Sequence, residues 1–186
     1  VFNRTTRIIL KSSYLVKFEK IQPHHTDQLV QYLHKLSEET KQRFGPHPFD
    51  QDSVSAFYTN PKNLGYCAID TEQNRIIAYA IIRHGYLEHD SPRLSAYGLQ
   101  LNHQTDSSFA PSVADDWQGK GLGKELFAFI MPELISLGIN RVILWGGVQS
   151  NNERAIRYYQ KLGFQTLGHF EYHGMNTDMA YPLPLG

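Results

Sequence analysis

Cysteine is nearly missing from this chain of 186 residues. The single Cys67 excludes an intramolecular disulfide framework and any zinc site built from several thiolates. An excess of one charge sign is also lacking, because 18 Lys and Arg balance 18 Asp and Glu without a block of either. That balance excludes a broad nucleic-acid surface and a polybasic membrane surface. Long hydrophobic runs are absent too. The longest, "LFAFIMPELISLGI", is broken by Pro132, Glu133 and Ser136 and falls short of the ~18 apolar residues that a membrane-spanning helix needs. The opening "VFNRTTRIILKSS" sets Arg4, Arg7 and Lys11 around a very short apolar segment, without the apolar stretch of a secretory signal. The expected compartment is the cytoplasm, and the expected partners are small molecules or local protein contacts. A chain of this length is most simply one domain, residues 1–186.

What is present is a mixed α/β pattern. "YLVKFEKI" (14–21) alternates apolar and polar residues and reads as a strand. In "HTDQLVQYLHKLSEE" the residues Leu29, Val30, Tyr32, Leu33 and Leu36 recur at helical spacing after Pro23 and Thr26. "DQDSVSAFY" reads as a shorter helix, and "LGYCAID" and "RIIAYAIIRHG" as strands joined by the turn "TEQN". The polar interval from 89 to 108 reads as a strand plus loop. "SSFAPSVA" is a strand in which Pro111 marks an edge or a bulge, since proline has no N–H for a ladder. A helix then carries Leu122, Leu126, Phe129, Ile130 and Leu134 on one face, is kinked at Pro132 and stops near Gly138. "RVILWGGV" is a buried strand loosened at Gly146 and Gly147. "NNERAIRYYQKLGF" is a helix capped by Asn151 or Asn152, with Ala155, Ile156, Tyr159 and Leu162 on one face and Gly163 as its stop. The strands "QTLGHFEY" and "TDMAYPL" follow.

The segment "DDWQGKGLGKEL" (115–126) leads into a helix, whose unpaired N–H groups and partial positive charge suit a phosphate. A P-loop would need glycine where Gln118 stands and Ser or Thr where Glu125 stands. A GxGxxG dinucleotide pattern would need its third glycine at Lys124 or Leu126. Neither pattern fits. QxxGxG does, as Gln118, Gly121 and Gly123. About thirty residues later come Asn152, Ala155, Tyr159, Gly163 and Phe164 in one helical segment.

In this order and spacing, the two groups resemble the acyl-CoA motif and the following helix of the GNAT superfamily of N-acetyltransferases. The resemblance covers nearly the whole chain, and its specific residues lie between 113 and 164. It implies a GNAT fold: a central mixed sheet of six to seven strands with about four helices, the fourth and fifth strands splayed to hold CoA, and a CoA-binding core at about 108–164. It also implies transfer of an acetyl group from acetyl-CoA to a primary amine, here expected on a small molecule, with a protein amine or a silent acyl-CoA-binding module as alternatives. No metal is implied, and a homodimer is compatible with this reading.

Residue by residue, the resemblance implies that Gln118, Gly119, Lys120, Gly121, Leu122, Gly123 and Lys124 hold the pyrophosphate by backbone N–H groups. The Gln118, Lys120 and Lys124 side chains would lie near the phosphates. Val113 would pair with the pantetheine arm, and Val113 or Ala114 would offer its N–H to the oxyanion. Tyr159 would protonate the leaving thiolate, while Asn152 would cap its helix and contact the cofactor. Many relatives place a Glu on the fourth strand as general base, but "SSFAPSV" has no acid. By residue type the candidates are His103, Asp106, Glu171 and His173. Asp115 and Asp116 are expected to turn away from the phosphates. The acceptor is expected at 37–49 and 169–176.

Overall fold

A computed structural model describes the backbone of residues 6–9 and 15–183, with side chains from residue 15 onward. Those residues form nine strands and six α-helices with three short 3-10 turns, more strands and helices than the sequence suggests. The chain divides into two compact units, Val1–Ile82 with Ala110–Pro132, and Arg83–Phe109 with Glu133–Gly186.

The first unit contains β1 (Thr6–Ile9), β2 (Leu15–Lys20) and β3 (Asn63–Asp70), together with most of β4 (Arg75–His84) and the end of β5 (Asp106–Val113). β1, β2 and β3 pair antiparallel, with Val16 opposite Asp70 and Lys20 opposite Tyr66. α1 (Thr26–Lys35) buries Leu29, Tyr32 and Leu33, the stripe that its spacing indicated. The expected continuation through 39 does not occur. Leu36 turns extended, and Ser37 caps a separate α2 (Glu38–Arg43) by accepting the Thr40 N–H. Serine followed by two glutamates is a helix start, and here that local signal overrides the continuing periodicity. α3 (Gln51–Phe57) is capped by Asp50. α5 (Leu122–Ser136) runs through Pro132. In this unit it buries Leu122, Leu126, Phe127 and Ile130, while Phe129 stacks on Phe18 at 5.7 Å.

The second unit pairs the start of β5 in parallel with β6 (Arg141–Leu144), and β6 antiparallel with β9 (Met175–Pro182). β7 (Val148–Gln149) and β8 (Gln165–Glu171) both pair with β9. The expected single strand at 141–148 is therefore two, parted by a turn at Gly146 and Gly147, whose φ values are +66° and +71°. A Cβ on Gly147 would lie 2.9 Å from the Phe170 ring and 3.0 Å from the Thr177 carbonyl, so this glycine is required by packing as well. The 89–108 interval holds a helix where the sequence suggested a strand, α4 (Ser91–Ala96), with Pro92 in its first turn. Six residues are too few to display a period. α6 (Glu153–Leu162) ends at Gly163, φ +104°. Leu94, Ile143 and Ala180 form a core packed by Tyr86, Tyr97, Leu101 and Leu167. Among the described residues no helix is long and apolar enough to cross a membrane.

Candidate active site

β5 holds the "SSFAPSV" segment but begins one residue earlier, at Asp106, so the strand expected to carry no acid has one at its start. Two hydrogen bonds fix its pleat. Gly85 N–H donates to the Asp106 carbonyl at 2.8 Å, and Ala114 N–H donates to the Ile77 carbonyl at 2.9 Å. At these two points the even-numbered positions face β4, and Gly85 also bridges to Ser107. Pairing with β6 runs only to Phe109 opposite Leu144, where Phe109 accepts the Trp145 N–H at 2.9 Å. Pro111 has no N–H to give. Of the two expected oxyanion donors, Ala114 gives its N–H to the Ile77 carbonyl of β4.

Beyond the strand, Gly119 and Gly121 take φ values of +76° and +84°. An added Cβ at either would touch nothing within 4 Å, so backbone conformation and not crowding selects glycine here. Lys124 and Glu125 turn their N–H groups back to the Gly121 carbonyl, at 3.1 and 3.3 Å. Leu122 and Gly123 are the first two residues of α5. The Leu122 side chain is buried, which leaves only its backbone facing the loop.

The Gln118 side chain is tied to the strand end and the loop. Its amide donates to the Val113 carbonyl at 3.0 Å and to Asp115 at 3.4 Å, which ties the loop to the strand end. A primary amide beside an unpaired carbonyl is satisfied locally before it reaches for a distant anion. The Lys120 ammonium lies 4.9 Å from the centre of the buried Trp117 ring, and Lys124 is exposed in the first turn of α5. Both aspartates turn outward as expected. Asp115 accepts from the Ser37 N–H (2.9 Å), the Ser37 hydroxyl (2.8 Å) and the Thr40 hydroxyl (2.8 Å). Burial alone would raise its pKa, but these donors outweigh burial and hold the carboxyl below its ordinary value. Asp116 pairs with Arg75 at 2.5 Å. Ser37, Thr40 and Arg75 were not legible as loop anchors, since nothing local links residues so far apart in sequence.

In the second unit, Asn152 caps α6 by accepting the Ala155 N–H at 3.2 Å. Tyr159 is buried, with its ring 5.4 Å from Phe164 and 5.0 Å from the half-buried Tyr158. Its hydroxyl has no hydrogen-bond partner among the described residues, and burial pushes its pKa well up. Ala155, Ile156 and Leu162, expected on the packed face with Tyr159, are only half-buried.

None of the four base candidates stands free. His103 stacks on Tyr86 at 3.8 Å and meets Glu88 at 2.7 Å. Asp106 is buried against Arg141 at 2.8 Å and accepts the Asn102 N–H. Glu171 accepts the Gly174 N–H at 3.0 Å, and His173 occupies the positive-φ corner of the β8–β9 hairpin.

A strand edge ending in a glycine-opened helix, followed by an Asn-capped helix carrying a buried tyrosine, is the arrangement the two motifs implied. The acetyltransferase (GNAT) family profile matches residues 30–164. The chain belongs to the GNAT family. The spermine/spermidine N(1)-acetyltransferase of Bacillus subtilis (strain 168) is 31% identical over 96 residues, 48% of this chain and 62% of that protein. The chain spans between 26% and 62% of the curated relatives it matches. Among solved structures, the GNAT domain of S. lividans PAT shares the fold with a TM-score of 0.75, at 19% identity over 96% of this chain and 97% of that one. yncA from Salmonella typhimurium, solved with acetyl-CoA, gives 0.68 at 17% identity, over 91% and 94%. This GNAT chain therefore has the family's mixed α/β fold, and its β5–β6 ladder stops where the splay was expected.

Proposed function

We propose that this GNAT domain moves an acetyl group directly from acetyl-CoA to a primary amine on a small molecule. The observation that carries the proposal is the entry to α5. Gly119 and Gly121 hold a left-handed backbone, Gln118, Asp115 and Asp116 tie the loop to neighbouring side chains and backbone, and a helix of 15 residues opens directly after the loop. Such an end accepts a pyrophosphate without a metal, because backbone N–H groups and the helix dipole supply the positive potential. Lys120 and Lys124 add charge beside it.

In the same unit the Val113 N–H serves the thioester oxygen as negative charge develops on it. In the other unit Tyr159 gives its proton to the departing thiolate. Its raised pKa keeps that proton in place through the neutral range, which suits an acid and rules out a base. Asn152 fixes the start of the helix that carries Tyr159. The half-buried apolar side chains of α6 offer a surface to the pantetheine arm. The similarity to a polyamine acetyltransferase supports a small amine as acceptor.

The test is CoA release from acetyl-CoA across small amines, amino acids, aminosugars and lysine peptides, with calorimetry of acetyl-CoA binding alongside. Release with one class of small amine is expected. Preference for lysine peptides would replace the small molecule with a protein amine, and tight binding without release for any acceptor would leave a silent acyl-CoA module.

A further inference from the structure

An alkylamine reaches the enzyme as an ammonium, with a pKa near ~10.4, and must lose a proton before it attacks. The one acid of β5, Asp106, is buried against Arg141, while His103 meets Glu88, Glu171 accepts the Gly174 N–H and the His173 ring lies against Tyr172. We infer that Ser150, Thr177 and His169 form the path by which that proton leaves the acceptor amine. The inference rests on the transferase reading above.

Three side chains meet on one face of the second unit. β9 places Thr177 directly between Val148 of β7 and His169 of β8. The Ser150 hydroxyl lies 2.8 Å from the Thr177 hydroxyl, which lies 3.1 Å from His169 Nδ1. Ser150 stands two residues before Asn152, in the turn that leads into α6. Burial is graded along the path. Ser150 is half-buried, Thr177 is 3% exposed, and His169 is exposed. Thr177 has one hydroxyl proton. When it donates to Nδ1 it must accept from Ser150, and this sets the polarity Ser150 to Thr177 to His169.

In the transfer, the ammonium N–H bond breaks and its proton bonds to Ser150 Oγ. The Ser150 proton moves to Thr177 Oγ1, and the Thr177 proton moves to His169 Nδ1. The amine keeps the electron pair it needs for attack, and the imidazolium, standing in water, passes a proton to solvent.

The fold contains a second histidine–hydroxyl chain, and comparing the two explains the choice. In the first unit His47 Nδ1 donates to the Pro48 carbonyl at 2.7 Å, so its Nε2 accepts from Tyr79 at 3.0 Å, and Tyr79 accepts from Tyr58. His47 is buried among aromatic rings, and burial pushes its pKa down. A charge gained there would be buried among rings with no carboxylate within hydrogen-bond reach among the described residues, so that chain is structural. At His169 the surroundings are different. Glu171 lies on the same face of β8, its carboxylate accepting the Gly174 N–H. From α4 the Tyr97 hydroxyl is shared between the His169 carbonyl (3.3 Å) and Asp178 (3.1 Å), and Asp178 is itself paired with Arg93.

The experiment measures acetyl-CoA turnover with the best amine, from pH 6 to 9, in the wild type, His169→Ala and Thr177→Val. The expected result is a fall in kcat of about 100-fold in His169→Ala, the size of a lost general base, with KM for acetyl-CoA unchanged. Added imidazole should restore turnover in His169→Ala and not in Thr177→Val, where the path is cut upstream. Because His169 is exposed, its replacement leaves the fold intact. Undiminished kcat in His169→Ala across the pH range overturns the proton path alone. A wild type that binds acetyl-CoA but acetylates no amine overturns the transferase reading and the path together.

Discussion

The chain enters its two long C-terminal helices in opposite ways. α6 begins at Asn152, whose side chain satisfies the Ala155 N–H within the protein. α5 begins after Gly121, which has no side chain to cap with, behind a backbone that only glycine adopts without strain. One entry is set by a capping side chain, the other by glycine backbone conformation and by anchors on the preceding loop. The lesson concerns how a helix start is fixed. On the proposed function the α5 entry serves the ligand, and the α6 cap fixes the helix that carries Tyr159. Substitutions at α6 should therefore act on turnover, and substitutions at α5 on binding.

The largest effect should come from Tyr159→Phe. Loss of the proton donor should lower kcat about 100-fold while acetyl-CoA affinity by calorimetry stays within about twofold. The wild type should show no alkaline decline from this group up to about pH 10, because its raised pKa keeps it protonated beyond the range of an ordinary tyrosine. Equal losses in binding and turnover would erase the contrast between the two helices.

Gly121→Val should do the reverse. Forcing a β-branched residue to a φ of +84° costs about 1–3 kcal/mol and displaces the loop. Affinity for acetyl-CoA should fall about tenfold or more, with a smaller change in kcat at saturation. Gly121→Asn sharpens the test, because asparagine tolerates the left-handed region, and its affinity should lie nearer the wild type. If valine and asparagine bind equally well, the backbone argument fails.

Much of this contrast was legible in the sequence, because local chemistry carries it. Gln118, Gly121 and Gly123 mark the glycine entry, while Asn152, Tyr159 and Gly163 mark the capped one, and both helices lie where their spacing placed them. The destinations of side chains that act over long range were not legible. Gln118 looks like a phosphate ligand until the Val113 carbonyl is seen beside it. Asp106 looks like a base until Arg141 arrives from β6. Pro111 allows an edge or a bulge equally, and nothing local to the residue chooses between them. α2 and α4, with six residues each, are too short for periodicity and are set by a capping serine and a first-turn proline.

Asn152 separates capping from chemistry. Asn152→Ala should lower stability by about 1 kcal/mol, a melting-temperature loss of about 3 °C. Asn152→Ser restores a cap, so its melting temperature should return to the wild-type value. If Asn152 also touches the cofactor, the serine variant stays slow although it is stable. Recovery of both would confine Asn152 to the cap.

The smallest effect belongs to the loop anchor of the glycine entry. Ser37 and Thr40 hold the Asp115 carboxyl below its ordinary pKa, although burial alone would raise it. A depressed folded pKa adds stability above the unfolded value, near ~3.9, and that stability is lost as pH falls through the folded value. Asp115→Asn should therefore melt lower than the wild type at pH 7, by no more than about 2 °C because the pair is largely exposed. The difference should shrink toward zero as pH falls through the lowered folded value, below which Asp115 too is neutral. The loop should loosen with it, so acetyl-CoA affinity at pH 7 should fall slightly while kcat holds. If kcat drops and affinity does not, the anchor serves the chemistry more than the phosphate, and the division between the two helix entries is less sharp than their hydrogen bonds suggest.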